Sequence, residues 1–376
     1  MNNTARGAVG PGLLTRLGIG IATGCGLGLV SCGDRAPADG GTIRVEASFG
    51  EIGTSNGAFD YPRAMAAVPA GAAGVSGPTL VVIDKTARVQ RFDAKTGEYL
   101  GGFRMPVWGL GKPTGVSVGP DPRDPTRLLL WVADTHYHRV LAYDIPAPSR
   151  EQQTVEPVFA FGEYGNEPGQ FVYPTDVQIL THDDGSVDRV LVSEYGGNDR
   201  VTVFRPELSD DGGVRMTPLG TIGRFGNAGE DDADGALVFV RPQNLEFDEA
   251  LGLVVVVDSL NHRIVRLRLD DEASATLVDV FGGPSLVGRA LGELDHPYSV
   301  AVLADSTVLV AEFGACRVQR LDLNAGVSLG GYGRPGRRVG ELVNPWEVVV
   351  IDKLAWVLDS GNNRVVAFES PERGAP

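Results

Sequence analysis

The sequence is poor in the residues on which several common chemistries depend. It has three cysteines and five histidines among 376 residues, and three cysteines are too few for a disulfide framework. Basic residues are also in the minority, because 33 Lys and Arg stand against 48 Asp and Glu, for a net charge of −15. Phosphate neutralisation needs a basic surface. The balance therefore argues against nucleic acid as a partner and against adhesion to anionic lipid by charge.

Motifs of several enzyme classes are missing as well. No nucleophile elbow is present, and "GLGKPTG" (109–115) is not a phosphate-binding loop because no helical pattern follows it. Three loops, at 119–127, 181–189 and 228–236, cluster Asp with Gly or Pro. Calcium takes several oxygen ligands, yet none of the three loops has the complete calcium-binding pattern. We therefore predict solvated acidic loops and no cofactor, with calcium or zinc left open.

What the sequence does contain is a repeat. The stretch "WVADTHYHRVLAYD" (131–144) brings Asp134, His136 and His138 together in a pattern that zinc could use. Similar stretches occur six times, however, each with an apolar run, an acid, a short polar turn and an Arg followed by Val or Ile. The six acid–arginine pairs are Asp84–Arg88, Asp134–Arg139, Glu194–Arg200, Asp258–Arg263, Glu312–Arg317 and Asp359–Arg364. This phased repetition indicates a propeller or solenoid and favours a turn over a metal site.

A proline recurs in step with each arginine. The six prolines are Pro62, Pro113, Pro174, Pro242, Pro297 and Pro345. Proline lacks a hydrogen-bond donor, so it fits the first residue of a strand. Each unit then reads as a Pro-led strand, a strand ending in the acid, a strand starting at Arg and a fourth apolar segment. Four strands per unit is typical of a propeller blade. The sequence predicts an all-β fold, a six-bladed β-propeller of four-stranded antiparallel blades.

At this point the chain resembles the NHL-repeat family of β-propellers. The resemblance rests on the Pro-led strand, the closing "FG" and the D-x-x-N-H-R-[VI] turn, which is fullest at Asp258–Ile264. It covers residues 43–369. We expect each acid and Arg to face each other across a hairpin, and an exposed pair of this kind contributes about 0–1 kcal/mol.

The last unit lacks a fourth strand of its own. After Phe368 only "ESPERGAP" remains, whereas a surplus strand, "TIRVEASFG" (42–50), precedes the first Pro. We predict that residues 43–49 form the outer strand of the last blade and close the ring. Closure would remove an exposed sheet edge.

The two ends of the chain lie outside the repeat. Arg6 and Arg16 precede an apolar stretch of about 14 residues, which has the form of a secretory signal and is too short to span a bilayer. "LVSC", ending at Cys32, resembles the lipobox of bacterial lipoproteins and implies an acylated Cys32. The alternatives are a lipobox ending at Cys25, an ordinary cleavage near Ala36, and an uncleaved anchor.

These readings give a domain plan and a location. The plan is a lipoprotein signal peptide at 1–31, a flexible tether at 32–41, the propeller at 42–370 and a C-terminal tail at 371–376. The resemblance implies a lipid-anchored protein of the bacterial cell envelope, outside the cytoplasm. Gly33 after the acylated cysteine is not the Asp that favours inner-membrane retention, so the outer membrane is favoured.

Residues just after each Pro are expected near the mouth of the central channel. A concave mouth with aromatic and a few polar groups fits a ligand site, and no catalytic residue is predicted. The candidate ligand-binding residues are Arg63, Asp176, Asn244, Tyr298, Trp346 and Glu347. Of these, Tyr298, Trp346, Glu347 and Arg63 are expected to cluster along half of the mouth. The alternative is that Trp346 and Tyr298 pack as core.

Two functions follow. The first is a membrane-tethered binding or assembly module, a monomeric ring whose partner is a protein, a peptide or a small molecule. It contacts the membrane through the lipid anchor only. The second is a metal-dependent lyase or hydrolase, because the resembled family includes a lyase with metal-bound histidines in its channel. The five histidines here do not recur at one channel position in three blades, so the sequence favours binding over catalysis.

Overall fold

The computed structural model describes residues 44–149, 151, 153–231, 235–270 and 272–369. These residues form six antiparallel sheets arranged in a ring, with almost no helix. Blade 1 consists of Pro62–Val68, Thr79–Asp84, Arg88–Asp93 and Tyr99–Arg104. Blade 2 consists of Gly115–Asp121, Asp124–Asp134, Arg139–Asp144 and Phe159–Phe161. Blade 3 consists of Tyr173–Thr181, Val187–Tyr195, Arg200–Leu208 and Val214–Ile222.

The other three blades repeat this plan. Blade 4 consists of Pro242–Asp248, Leu253–Asp258, Arg263–Leu269 and Ala275–Gly282. Blade 5 consists of Pro297–Val302, Val308–Glu312, Arg317–Asp322 and Val327–Tyr332. Blade 6 consists of Pro345–Ile351, Leu354–Asp359, Arg364–Glu369 and Ala47–Phe49. Short additions are Gln153–Thr154 beside blade 1, the parallel pair Arg224–Phe225 and Val238–Phe239, and 3-10 turns at Ala72–Gly74, Thr135–Tyr137, Ser259–Asn261, Pro284–Leu286 and Ser360–Asn362.

The innermost strand of every blade contacts the innermost strands of both neighbours, so the ring is continuous. One hydrophobic cluster fills each of the six junctions between blades. Central strands are therefore buried on both faces, which explains runs such as Leu253–Asp258, "LVVVVD". Because neighbouring strands are antiparallel, the first-strand entries, the second-to-third turns and the loops between blades share one face. We call it the mouth face. The other two hairpin turns of each blade lie on the opposite face.

The predicted closure of the ring is confirmed. Ala47–Phe49 pairs antiparallel with Arg364–Glu369, with Ala47 opposite Ala367 and Phe49 opposite Val365. The Phe49 ring then packs 4.7 Å from Phe92 of blade 1. The described strand begins at Ala47, and the predicted signal peptide, tether and tail lie outside the described residues. No helix in the described part of the chain is long and apolar enough to cross a membrane.

The acid–arginine pairs face each other as expected, and two of them are fully buried. Arg88 with Asp84 and Arg317 with Glu312 are each 0% exposed on both side chains. The Arg317 Nε lies 2.6 Å from Glu312 Oε1. The same guanidinium donates to the carbonyls of Ala290 and Glu293, at 3.1 and 2.9 Å. Arg317 thus holds the loop that leads into blade 5 against the hairpin. This loop covers the ion pair and excludes water from it.

Candidate functional site

In five blades the Pro-led strand begins with a β-bulge, and this bulge divides the candidate residues into two groups. In blade 5, Pro297 pairs with Glu312 but Ser299 pairs with Ala311, so Tyr298 is an extra residue in the ladder. The same shift occurs in blades 1, 3, 4 and 6. A bulge re-aims the side chains on either side of it. In blades 3, 4 and 6 the second residue after Pro (Asp176, Asn244 and Glu347) therefore lines the channel cavity, whereas the residue directly after Pro does not.

The residue before Pro is held in an unusual conformation. Tyr61, Arg241 and His296 have φ of 51°, 59° and 52°, in the left-handed region that most side chains avoid. In each case a turn residue of the preceding blade accepts the backbone N–H. The acceptors are Asn363 Oδ1 at 2.7 Å, Asp199 Oδ1 at 2.5 Å and His262 Nδ1 at 3.1 Å. In these three blades the residue just before the repeat arginine thus fixes the entry of the next blade, a role that the sequence did not reveal.

Three of the six candidates line the channel and join neighbouring blades. Asp176 accepts hydrogen bonds from Asn244 Nδ2 at 2.8 Å and from the Leu245 N–H at 2.9 Å. Asn244 Oδ1 in turn accepts the Val300 N–H at 2.9 Å. Glu347 accepts a short hydrogen bond from the Ser299 hydroxyl. Asp176, Asn244 and Glu347 are buried, and these bonds connect blade 3 to blade 4, blade 4 to blade 5, and blade 5 to blade 6.

The channel holds carboxyl groups that resist ionisation. Burial raises the pKa of Asp176 to about 7, although hydrogen bonds from Leu245, Val177 and Asn244 oppose the rise. Burial also raises the pKa of Glu246 to about 8, with a further contribution from Asp176. The pKa of Glu347 is raised well above its usual value by burial and then by Asp176. Together they surround a cavity of about 270 Å³, whose lining carries less negative charge at neutral pH than its composition suggests.

The other three candidates form an aromatic and cationic group at the mouth. Tyr298 and Trp346 meet edge to face with ring centroids 5.0 Å apart, and Phe313 stacks on Tyr298 at 4.4 Å. Both candidate rings are 2% exposed, in line with the alternative that they pack as core. Arg63 is half-buried, and its guanidinium lies 5.0 Å from the Trp346 ring centroid. The structure thus brings Arg63, Tyr298 and Trp346 together and separates them from the channel carboxyls.

Sequence reasoning missed further residues of this group. Tyr61 lies 5.5 Å from the Arg63 guanidinium, and Arg241 lies over Tyr195 and Tyr298 at 4.9 and 5.3 Å. Tyr61 and Arg241 occupy the position before Pro in their blades, and this position was the available signal. Tyr195 ends the second strand of blade 3. We call Tyr61, Arg63, Tyr195, Arg241, Tyr298 and Trp346 the mouth cluster.

One group of side chains has the composition of a metal site. Ligand atoms of His262, Asp295 and His296 lie within 4.8 Å of one another. The Nδ1 of His262 accepts the His296 N–H at 3.1 Å, so its proton sits on Nε2 in the neutral ring. His296 Nδ1 lies 2.7 Å from Asp295 Oδ1 and donates to it. Of the two imidazoles, only His296 Nε2 retains a lone pair that these bonds do not use, which fits a metal poorly.

The mouth face also carries exposed apolar side chains. Each of the six loops that cross this face between blades has at least one that is large: Ile52, Trp108, Tyr164, Phe225, Val287 and Val339. Ile52 and Tyr164 are 77% and 70% exposed. Isolated parallel bridges to Phe59 and Phe171 fix the backbone of these two residues. The apolar positions are therefore held by the loop backbone and repeat around the ring.

Comparison with known proteins supports the fold and no more. No protein-family model and no curated protein sequence matches the chain. Among solved structures, the β-propeller domain of Cps50 (Swd1) from Myceliophteria thermophila is similar, with 12% identity, a TM-score of 0.51 and coverage of 84% of this chain and 85% of that one.

Two solved enzymes are similar at a lower TM-score. The PQQ-bound aldose sugar dehydrogenase from Streptomyces coelicolor has 17% identity and a TM-score of 0.49 over 89% and 99% of the two chains. Virginiamycin B lyase from Staphylococcus aureus has 13% identity and a TM-score of 0.44 over 77% and 76%. The likeness to the Cps50 (Swd1) domain supports the β-propeller fold and leaves the function to the site.

Proposed function

We propose that this protein is an NHL-type propeller that works as a membrane-tethered binding or assembly module outside the cytoplasm, using its mouth face. The observation that carries the proposal is the recurrence of an exposed apolar side chain in all six loops of that face. Large apolar side chains exposed in every loop of one face mark that face as a candidate interaction surface. The mouth cluster at the centre adds the partly exposed Tyr61, Arg63 and Tyr195, and Tyr and Arg are among the residue types that contribute most to interface energy.

Charge substitutions on the mouth face test this proposal. Ile52→Glu and Tyr164→Glu together should reduce capture of the partner from the cell envelope by about tenfold or more, because two apolar contacts are replaced by charges. Leu208→Glu is the matched control, since Leu208 is 58% exposed at the opposite face and should leave capture unchanged. The measurement is quantitative mass spectrometry of proteins retained by each variant. Equal retention by the unchanged protein, the double variant and the Leu208→Glu variant would contradict the proposal.

The tether is proposed from the "LVSC" motif alone. Cys32→Ala should release the protein in soluble form or leave an unprocessed precursor, because the acyl chains would have no attachment point. Membrane fractionation followed by intact-mass analysis measures both outcomes, and Ser31→Ala serves as the control. A Cys32→Ala protein that stays with the membrane through detergent-free washing would rule out this anchor.

A metal-dependent lyase or hydrolase is the second candidate, favoured by the closeness of His262, Asp295 and His296. The hydrogen bonds of His262 count against it. Metal analysis of the purified protein separates the two functions. Stoichiometric zinc or calcium that is lost on His296→Gln would favour the second, and a metal-free protein that captures its partner would favour the first.

A further inference from the structure

Arg63 and Arg241 of the mouth cluster differ from the repeat arginines. Every repeat arginine is bonded to the acid of its own hairpin. Among the described residues, neither Arg63 nor Arg241 has a carboxylate within ion-pair distance. The Nε of Arg63 is buried without a hydrogen-bond partner in the described structure. Arg241 is 8% exposed. Its Nε donates to Gln243 at 2.9 Å, a neutral acceptor.

The two guanidinium groups lie against the same pair of contacting aromatic rings. Arg63 lies against Trp346 and Arg241 against Tyr298, and these two rings touch each other. Burial lowers the pKa of Arg63, and the positive charge of Arg241 lowers it further. These two partly or fully buried cations repel each other and lack the compensation that buried charges need.

The carboxylate of Asp199 bonds the backbone N–H of Arg241 and does not pair with its guanidinium, and the other surrounding side chains supply no negative charge. Burial raises the pKa of Tyr61 to about 12 and raises that of Tyr298 as well, so both phenols are neutral at physiological pH. His136 across the mouth is also neutral, because burial, Lys112 and Arg63 lower its pKa to about 4. The mouth is therefore a local positive site in a protein of net charge −15.

We infer that the mouth cluster binds an oxyanion, a carboxylate or phosphate group held between Arg63 and Arg241. Guanidinium groups match both oxyanions in geometry and form charge-assisted hydrogen bonds with them. The partly exposed rings of Tyr61 and Tyr195 suit an apolar or aromatic group attached to the anion. The inference rests on the proposed function and specifies the chemical group that its binding face recognises.

Calorimetric titration of the purified full-length protein tests the inference with three probes of one ring size. Benzoate and phenyl phosphate carry the two oxyanions, and benzamide is the neutral counterpart of benzoate. Saturable binding of at least one anion is expected, with benzamide about tenfold weaker or more. Comparison of benzoate with phenyl phosphate identifies the preferred oxyanion.

Arg63→Gln and Arg241→Gln should each weaken anion binding by about tenfold or more. Neither change leaves an unpaired carboxylate, so melting curves close to that of the unchanged protein are expected. Arg63→Lys keeps the charge and should retain part of the affinity. Arg215→Gln is the matched control, because Arg215 forms an exposed pair with Glu207 and should leave binding unaltered.

No saturable binding of either anion would overturn the inference, as would equal affinities for unchanged protein and Arg63→Gln. Failure here is distinguishable from failure of the proposed function. If partner capture falls in the Ile52→Glu, Tyr164→Glu protein while neither anion binds, the mouth face is the binding face and the oxyanion is not what it recognises.

Discussion

Deletion of residues 44–50 is expected to destabilise the whole ring and not only the last blade. Blade 6 would lose its outer strand, and the edge of Arg364–Glu369 would be exposed to pairing with other chains. The junction with blade 1 would also lose Phe49, which contacts Phe92 and Trp356 at 4.7 and 6.1 Å. Removal of a packed aromatic side chain alone costs about 3 kcal/mol. Thermal unfolding and size-exclusion chromatography should show a lower melting temperature and self-association.

The control for the deletion is Ser48→Ala. Ser48 is the exposed residue of the closing strand, so its replacement should change stability by no more than about 0.5 kcal/mol. If the deleted and the complete protein had the same melting temperature, the strand would pair with the ring without contributing to its closure.

Arg317→Met is expected to give the largest loss of stability from a single substitution. It leaves the Glu312 carboxylate fully buried without its cation and removes donors from the carbonyls of Ala290 and Glu293. Breaking a buried pair from one side costs about 3–5 kcal/mol. Urea unfolding gives the measurement. Arg215→Met, in an exposed pair, should cost about 0–1 kcal/mol.

The pH dependence of this loss is a second check. Burial raises the pKa of Glu312 and Arg317 lowers it, so removal of Arg317 should raise the pKa further. A carboxyl whose pKa is higher in the folded than in the unfolded state contributes stability at low pH, and this stability is lost as the pH rises through the folded value. The deficit of Arg317→Met should therefore be smaller near pH 5 than at pH 7. An equal deficit at both would show that packing, and not the buried charge, sets the cost.

The fold could be predicted from the sequence because its signals repeat. A proline and an acid–arginine pair in six phased copies define six blades, and the count of fourth strands identifies Ala47–Phe49 as the closing strand. The energy of the pairs could not be predicted, because the loop that covers Arg317 is distant in sequence and varies between blades. Spacing shows that Glu312 and Arg317 meet; it does not show that water is excluded.

The candidate site could be predicted only in part, because the sequence pattern does not show the bulge or the contacts between blades. The position after Pro indicated the mouth, but a bulge that a simple alternation of side chains does not reveal separates Trp346 from Glu347. The partnership of Arg63 with Arg241 depends on blades 1 and 4 facing each other across the mouth. A sequence pattern places each residue within its blade. Which blades contribute to one surface depends on how the blades are arranged in the ring.

The closing strand has a consequence for the order in which the protein can be completed. Ala47–Phe49 leaves the ribosome early, yet its partner Arg364–Glu369 is made more than 300 residues later. Until that partner strand is present the first strand has no ladder to join, and blades 1 to 5 can form only an open arc. Contacts this distant in sequence form slowly. Closure is then the final folding event, and a chain interrupted anywhere before Arg364 leaves an arc with two unprotected edges.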